Sequence, residues 1–138
     1  FMLTYGDGVS DVHISELVKF HQSHPTIATV TAIQLEARFG GMEINSGDIV
    51  YSFKEKSKDE GKWVNGGFFV LRPDVFNYLP QDIDEIMWED EPLEKLAEAG
   101  ELAAYRHYGF WKPMDALRDK LELESLWKNE KAPWKIWK

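Results

Sequence analysis

Two aspartates stand where a chain commonly presents a ligand. Asp7 lies between Gly6 and Gly8, directly after the apolar, β-prone run of "FMLTYGDG", and Asp115 closes "GFWKPMD" just ahead of a helical pattern. A carboxylate beyond the carboxyl end of a strand occupies the usual ligand crevice of an open α/β sheet, and flanking glycines let a ligand near the backbone. Each also has a plainer reading. Asp7 fits an ordinary turn with glycines supplying positive φ, and Asp115 fits a helix N-cap. As a pair, two aspartates at the ends of separate elements can share one Mg²⁺, which takes a few carboxylates and completes its shell with water and phosphate oxygens.

Other residues carry weaker signals. "KEKSKDEGK" at 54–62 reads as a solvated hairpin tip, except that Lys56 follows directly on a strand, where an ammonium can neutralise a phosphate as a point charge. Asn65, Gly66 and Gly67 interrupt a strong strand, which marks either a bulge or a place where a ligand nears the backbone. Glu89, Asp90 and Glu91 admit a glycosidase-type carboxylate pair, but acidic residues ahead of a helix are expected from its dipole. The histidines at 13, 21, 24 and 107 lack the spacing of a metalloprotease helix, and His21 sits on an apolar helix face, where packing is its expected role. The serines lack a nucleophile-elbow context, so acyl transfer has no support. The aromatic residues are assigned to core and subunit contacts.

The elements that must position these residues are regularly punctuated. Ile14, Leu17, Val18 and Phe20 or His21 recur at helical spacing before Pro25, predicting a helix over 13–24, and "TIATVTAI" at 26–33 predicts a strand. Strand, helix, strand is a βαβ unit with parallel strands. Glycine-punctuated short segments, "DIVYSFKEK" and "WVNGGFFVL" make a β-rich middle with a hairpin or two. "EPLEKLAEAG" predicts a helix over about 91–99 that stops at Gly100, "ELAAYRHYGFW" a strand, and 114–127 a final amphipathic helix. The fold class is α/β with a mixed sheet.

Composition bounds the partners. The 138 residues suit one domain, with 43% hydrophobic and 14% aromatic residues to build a core. A formal net charge of −8 argues against a nucleic-acid polymer as partner while leaving room for a local phosphate pocket. No apolar run is long enough to span a membrane, and a cytoplasmic location is the default. The sequence has no cysteine, which removes disulfides and thiolate chemistry from consideration.

Beyond these readings, "TYGDG", "RFGG", "FKEK", "WVNGGFFVL", "WEDEPLEKLA", "GELAAY", "GFWKPMDALRDK", "LESLW" and "APWKIW", in this order and over essentially the whole chain, resemble the later part of the glucose-1-phosphate cytidylyltransferases, a branch of the sugar-1-phosphate nucleotidyltransferases. The resemblance implies a partial Rossmann-like nucleotidyltransferase domain, its mixed, mainly parallel sheet flanked by helices, with 1–138 forming the C-terminal, sugar-phosphate- and metal-binding portion. It implies that CTP and glucose 1-phosphate are converted to CDP-glucose and pyrophosphate with Mg²⁺, in a homo-oligomer. By position, Asp7 and Asp115 resemble the metal ligands and Gly6 lies beside the nucleotide. Gly40 of "RFGG", Glu55 and Lys56 of "FKEK", Asn65 and Gly66 of "NGG", and Glu89 of "WEDEPL" match the sugar-phosphate side. Asp7, Lys56 and Asp115 are thus the expected catalytic residues. Ser57 stands where the family pattern has proline. The family's glycine-rich "GGxGTR" loop has no counterpart in these residues, so the isolated chain is expected to be incomplete as an enzyme. The alternatives are a non-catalytic sugar-phosphate-binding or assembly fragment, or a thymidylyl- or uridylyl-type transferase.

Overall fold

The structure is a computed structural model describing residues 1–34, 41–44, 46–47, 49–54, 62–80 and 87–137. Gly40, Glu55 and Lys56 lie outside the described residues. In chain order the elements are β1 (Met2–Thr4), β2 (Gly8–Ser10), α1 (Ile14–Ser23), β3 (Ala28–Gln34), β4 (Gly41–Ile44), β5 (Val50–Lys54), β6 (Trp63–Leu71), a 3₁₀ helix (Pro73–Tyr78), α2 (Glu91–Glu98), β7 (Leu102–His107), β8 (Trp111–Pro113) and α3 (Leu117–Lys128).

Four strands form the main sheet in the order β1-β6-β3-β7, while β2 pairs with β8 and β4 with β5. β6 runs antiparallel to both β1 and β3, and β3 is parallel to β7, so three of the four strands point one way and β6 alone is reversed. The βαβ unit therefore exists with a difference. β1 and β3 are parallel and joined through α1, but β6 lies between them. β6 can take that slot because its aromatic and aliphatic residues supply a long buried strand, with Phe69, Val70 and Leu71 all nearly inaccessible.

β3 is the central strand, and successive residues are buried on opposite faces, as a strand covered on both sides requires. Ala28 packs with Phe69, Leu71, Val75 and Leu96, placing α2 and the 3₁₀ helix on one face. Thr29 faces the other way, its Oγ1 2.9 Å from Nδ1 of His21 on α1. α2 ends as expected. Gly100 has φ 71°, its N–H donates to the Ala97 carbonyl, and the Glu101 N–H donates to the Leu96 carbonyl, which satisfies the last carbonyls of the helix. The segment "ELAAYRHYGFW" differs from the single strand expected. A turn at 108–110 splits it into β7 and β8, which join different sheets. Among the described residues, no helix is long and apolar enough to cross a membrane.

His21 is packed, as its position on the apolar face predicts, and is 5% exposed. Burial, then the positive charge of Arg72, hold its pKa below the ordinary imidazole value. The unfolded chain therefore binds a proton near pH 6.5 that the folded chain resists, so stability is complete above that pH and declines as pH falls toward the lower folded pKa. Thermal melts between pH 8 and 5 should show this decline, and His21→Gln should flatten it. Parallel pH profiles for the two proteins would remove His21 as a cause.

Candidate functional site

The site is built where β1 and β7 run out. β1 ends at Thr4, and the chain passes through Tyr5, Gly6 and Asp7 into β2, which pairs antiparallel with β8 in the register Gly8↔Pro113, Val9↔Lys112, Ser10↔Trp111. One more hydrogen bond extends that ribbon, as the Met114 N–H donates to the Asp7 carbonyl at 2.8 Å. Asp7 and Asp115 are thereby placed on adjoining backbone segments, both with exposed side chains. In the sequence they are more than a hundred residues apart. The ribbon makes them neighbours.

The N-cap reading of Asp115 gives way, while Asp7 does lie in a bend, though without positive-φ glycines beside it. Helix α3 begins at Leu117 instead of 114, with Ala116 at the N-cap position, and the carboxylate of Asp119 accepts the Ala116 N–H at 3.0 Å. Asp119 does the capping, so Asp115 is not spent on it. Gly6 and Gly8 are not in the positive-φ region, where the described glycines are Gly67 and Gly100. A Cβ at Gly6 would meet nothing within 4 Å, so the space beside Asp7 is open among the described residues.

A second cluster locks the far end of the ribbon. Nε2 of His107 lies 2.8 Å from a carboxylate oxygen of Asp11 and 3.3 Å from the Ser10 hydroxyl, which donates to the Phe110 carbonyl at 2.8 Å. Both neighbours sit on the same ring nitrogen, so these residues cannot form a serine–histidine–aspartate relay, which needs one partner on each nitrogen. They pin the 108–110 turn. Gly109 is required there, because a Cβ would collide with the Asp11 carboxylate and the His107 ring.

On the β6 side, the interruption in "WVNGGFFVL" is a bulge, with the register against β3 shifting between Val30↔Phe69 and Ala32↔Asn65. Gly66 is a packing glycine. A Cβ there would lie 2.8 Å from the Thr31 carbonyl oxygen, and its own carbonyl accepts the Trp111 indole N–H at 2.8 Å. Gly67, at φ 77°, leaves room for the Tyr5 ring, whose Cδ2 would be 2.6 Å from an added Cβ. The Asn65 amide nitrogen donates to the Tyr5 hydroxyl at 2.9 Å, and its carbonyl oxygen accepts the Gly67 N–H at 2.8 Å.

Glu89 leaves the acidic run to join this group. Glu91 opens α2 and pairs with Lys95 one turn on, the role expected near a helix start, whereas Glu89 interacts with the Tyr5 hydroxyl. Burial first, then Glu89, raise the Tyr5 pKa well above the ordinary tyrosine value, with Asp7 adding its negative charge. The hydroxyl keeps its proton at any physiological pH. Of the expected site residues, Gly6, Asp7, Asn65, Gly66, Glu89 and Asp115 are described, and Tyr5 is the residue that sequence reading missed. As a β-former in strand context it carries no signal by type, and only its place next to "GDG" marks it.

Comparison with known proteins places this arrangement. The sequence profile of the nucleotidyl transferases matches residues 1–131. The chain belongs to the nucleotidyl transferase family. A glucose-1-phosphate cytidylyltransferase of Salmonella typhimurium (strain LT2) is 52% identical over 137 residues, covering 99% of this chain and 52% of the relative. The glucose-1-phosphate cytidylyltransferase of Salmonella typhi is similar to the same extent. The chain thus spans about half the length of the curated relatives it matches. The solved structure of HddC from Yersinia pseudotuberculosis has a TM-score of 0.59 at 16% identity, covering 88% of this chain and 52% of that one, a likeness of fold alone. In this member of the nucleotidyl transferase family, the "GDG" loop and the "PMD" segment meet through β2 and β8, and Tyr5 joins Asn65 and Glu89 beside them.

Proposed function

We propose that this chain is the sugar-phosphate- and metal-binding portion, the C-terminal part of the domain, of a CTP:α-D-glucose-1-phosphate cytidylyltransferase forming CDP-glucose and pyrophosphate. The observation that carries the reading is the Met114–Asp7 backbone bond, which brings the backbone segments bearing Asp7 and Asp115 together with open space at Gly6. Two exposed carboxylates on adjoining segments are the donor type that Mg²⁺ takes, its other positions being filled by phosphate oxygens and water. When bound, Mg²⁺ supplies positive charge to the triphosphate as the α-phosphorus is attacked. This chain's residues do the rest by alignment.

A sugar phosphate is ionised near neutral pH, so a phosphate oxygen attacks the α-phosphorus without a general base. The bond from that phosphorus to the pyrophosphate oxygen breaks, and pyrophosphate leaves with the electron pair. Asn65 and Glu89, joined through Tyr5, present an amide and a carboxylate suited to sugar hydroxyls. Lys56 is assigned the sugar phosphate and Glu55 and Gly40 its surroundings on the strength of the family resemblance. A homo-oligomer and a cytoplasmic location complete the reading on the strength of the family resemblance.

The test is pyrophosphate release by the protein expressed from its full reading frame, with Mg²⁺, α-D-glucose 1-phosphate and each of CTP, UTP, dTTP and GTP. CTP should be used at least tenfold better than the others. Preference for dTTP or UTP would move the protein to another branch of the family, and no turnover with any nucleotide would favour a binding or assembly role.

A further inference from the structure

The Tyr5 hydroxyl is placed so that its hydrogen bonds have defined directions. The Gly67 N–H can only donate, so the Asn65 carbonyl oxygen must face it at 2.8 Å and the Asn65 amide nitrogen must face Tyr5 at 2.9 Å. The Tyr5 oxygen is then an acceptor toward Asn65, which leaves its own proton available to the neighbouring Glu89 carboxylate. The ring beneath is held on several sides. It rests over Gly67, meets Phe69 edge-on with centroids 5.7 Å apart, and its backbone N–H donates to the Gly67 carbonyl at 3.2 Å. After these bonds, Asn65 retains a second amide N–H and a lone pair among the described residues, and Glu89 retains acceptor capacity.

We propose that Tyr5 is a positioning residue that orients the Asn65 amide and the Glu89 carboxylate toward the hydroxyls of the bound hexose phosphate and thereby sets discrimination among sugar phosphates. The inference rests on the reading of Asn65 and Glu89 as the sugar-binding pair. The Asn65 amide, already turned by the Gly67 N–H, and the exposed Glu89 carboxylate meet at one hydroxyl on a half-buried ring, which limits how far either can swing. Orientation of this kind lowers the cost of ordering two side chains when the sugar binds. Tyr5 does not itself need to touch the sugar.

The experiment uses Tyr5→Phe in the protein expressed from its full reading frame, since phenylalanine keeps the ring over Gly67 and removes only the hydroxyl. The KM for α-D-glucose 1-phosphate should rise roughly three- to tenfold, the magnitude of one lost hydrogen bond. The KM for CTP and the melting temperature should stay unchanged, and the preference in kcat/KM for glucose 1-phosphate over its C4 epimer should fall. Asn65→Ala and Glu89→Ala are measured beside it. If those two weaken sugar-phosphate use while Tyr5→Phe alters neither the KM nor the epimer preference, the positioning role is overturned and the sugar-site reading stands. If none of the three changes it, the sugar-site reading itself fails and takes this inference with it. If Tyr5→Phe lowers the melting temperature and raises both KM values together, Tyr5 is structural only and the proposal is overturned.

Discussion

Asp7→Asn and Asp115→Asn should each lower turnover by about 10²- to 10³-fold in the full-reading-frame protein while leaving its melting temperature unchanged. Asparagine preserves the shape of the side chain and removes its charge, and both side chains are exposed, so the fold loses little. On the proposed metal role the chemistry should lose much more, because a preorganised anion that holds a cation against a triphosphate would act throughout the bond-making step. Raising Mg²⁺ should recover part of the activity in each variant, since the remaining carboxylate still binds the ion more weakly. Asp74→Asn, an exposed carboxylate in the 3₁₀ helix, is the control and should be silent. Near-normal kcat/KM in both site variants would remove Asp7 and Asp115 from the metal role.

The largest effect on folding is expected at Gly66. An alanine Cβ there would lie 2.8 Å from the Thr31 carbonyl oxygen and 3.0 Å from Cγ2 of Ile33. The first of these is backbone of the central strand and is packed from both faces, so it cannot step aside as a side-chain tip can. β6 and β3 must separate, and the Trp111 indole bond to the Gly66 carbonyl must lengthen with them. Overpacking of this kind costs about 2–3 kcal/mol, or roughly 8–12 °C in melting temperature for a chain of this size. Gly6→Ala, where an added Cβ meets nothing within 4 Å, should melt like the parent. Equal melting temperatures for the Gly66 and Gly6 variants would show that the close approach of β6 to β3 is not constraining.

Much of the architecture is legible in the sequence, and the reasons are local. The 3.6-residue recurrence in 14–21 and the proline and glycine that bracket α2 are short-range signals, and the elements formed within a few residues of the expected limits. The β-branched run became β3 because a central strand needs apolar residues on both faces. What misled was local as well. The run 101–111 reads as one strand interrupted only at Gly109, and that glycine's type alone does not show that it must admit the Asp11 carboxylate and the His107 ring at the turn dividing β7 from β8. Asp115 carries the signature of an N-cap, but the helix begins two residues later and Asp119 bonds the Ala116 N–H there.

By itself, then, the sequence determined the kinds of elements, the likeness to sugar-1-phosphate nucleotidyltransferases and the residues worth watching, because helix periodicity, strand alternation and turn glycines act over fewer than about ten residues. Tertiary structure decided which of those residues meet. The insertion of β6 between β1 and β3 brings Asn65 under the Tyr5 hydroxyl, and the β2–β8 ribbon brings Asp7 against Met114. Glu89 turns toward Tyr5 while its neighbour Glu91 serves the helix. These are contacts between residues 60 to 107 positions apart, settled by strand order and by which side chains fill the space above a glycine, and no local propensity carries that information.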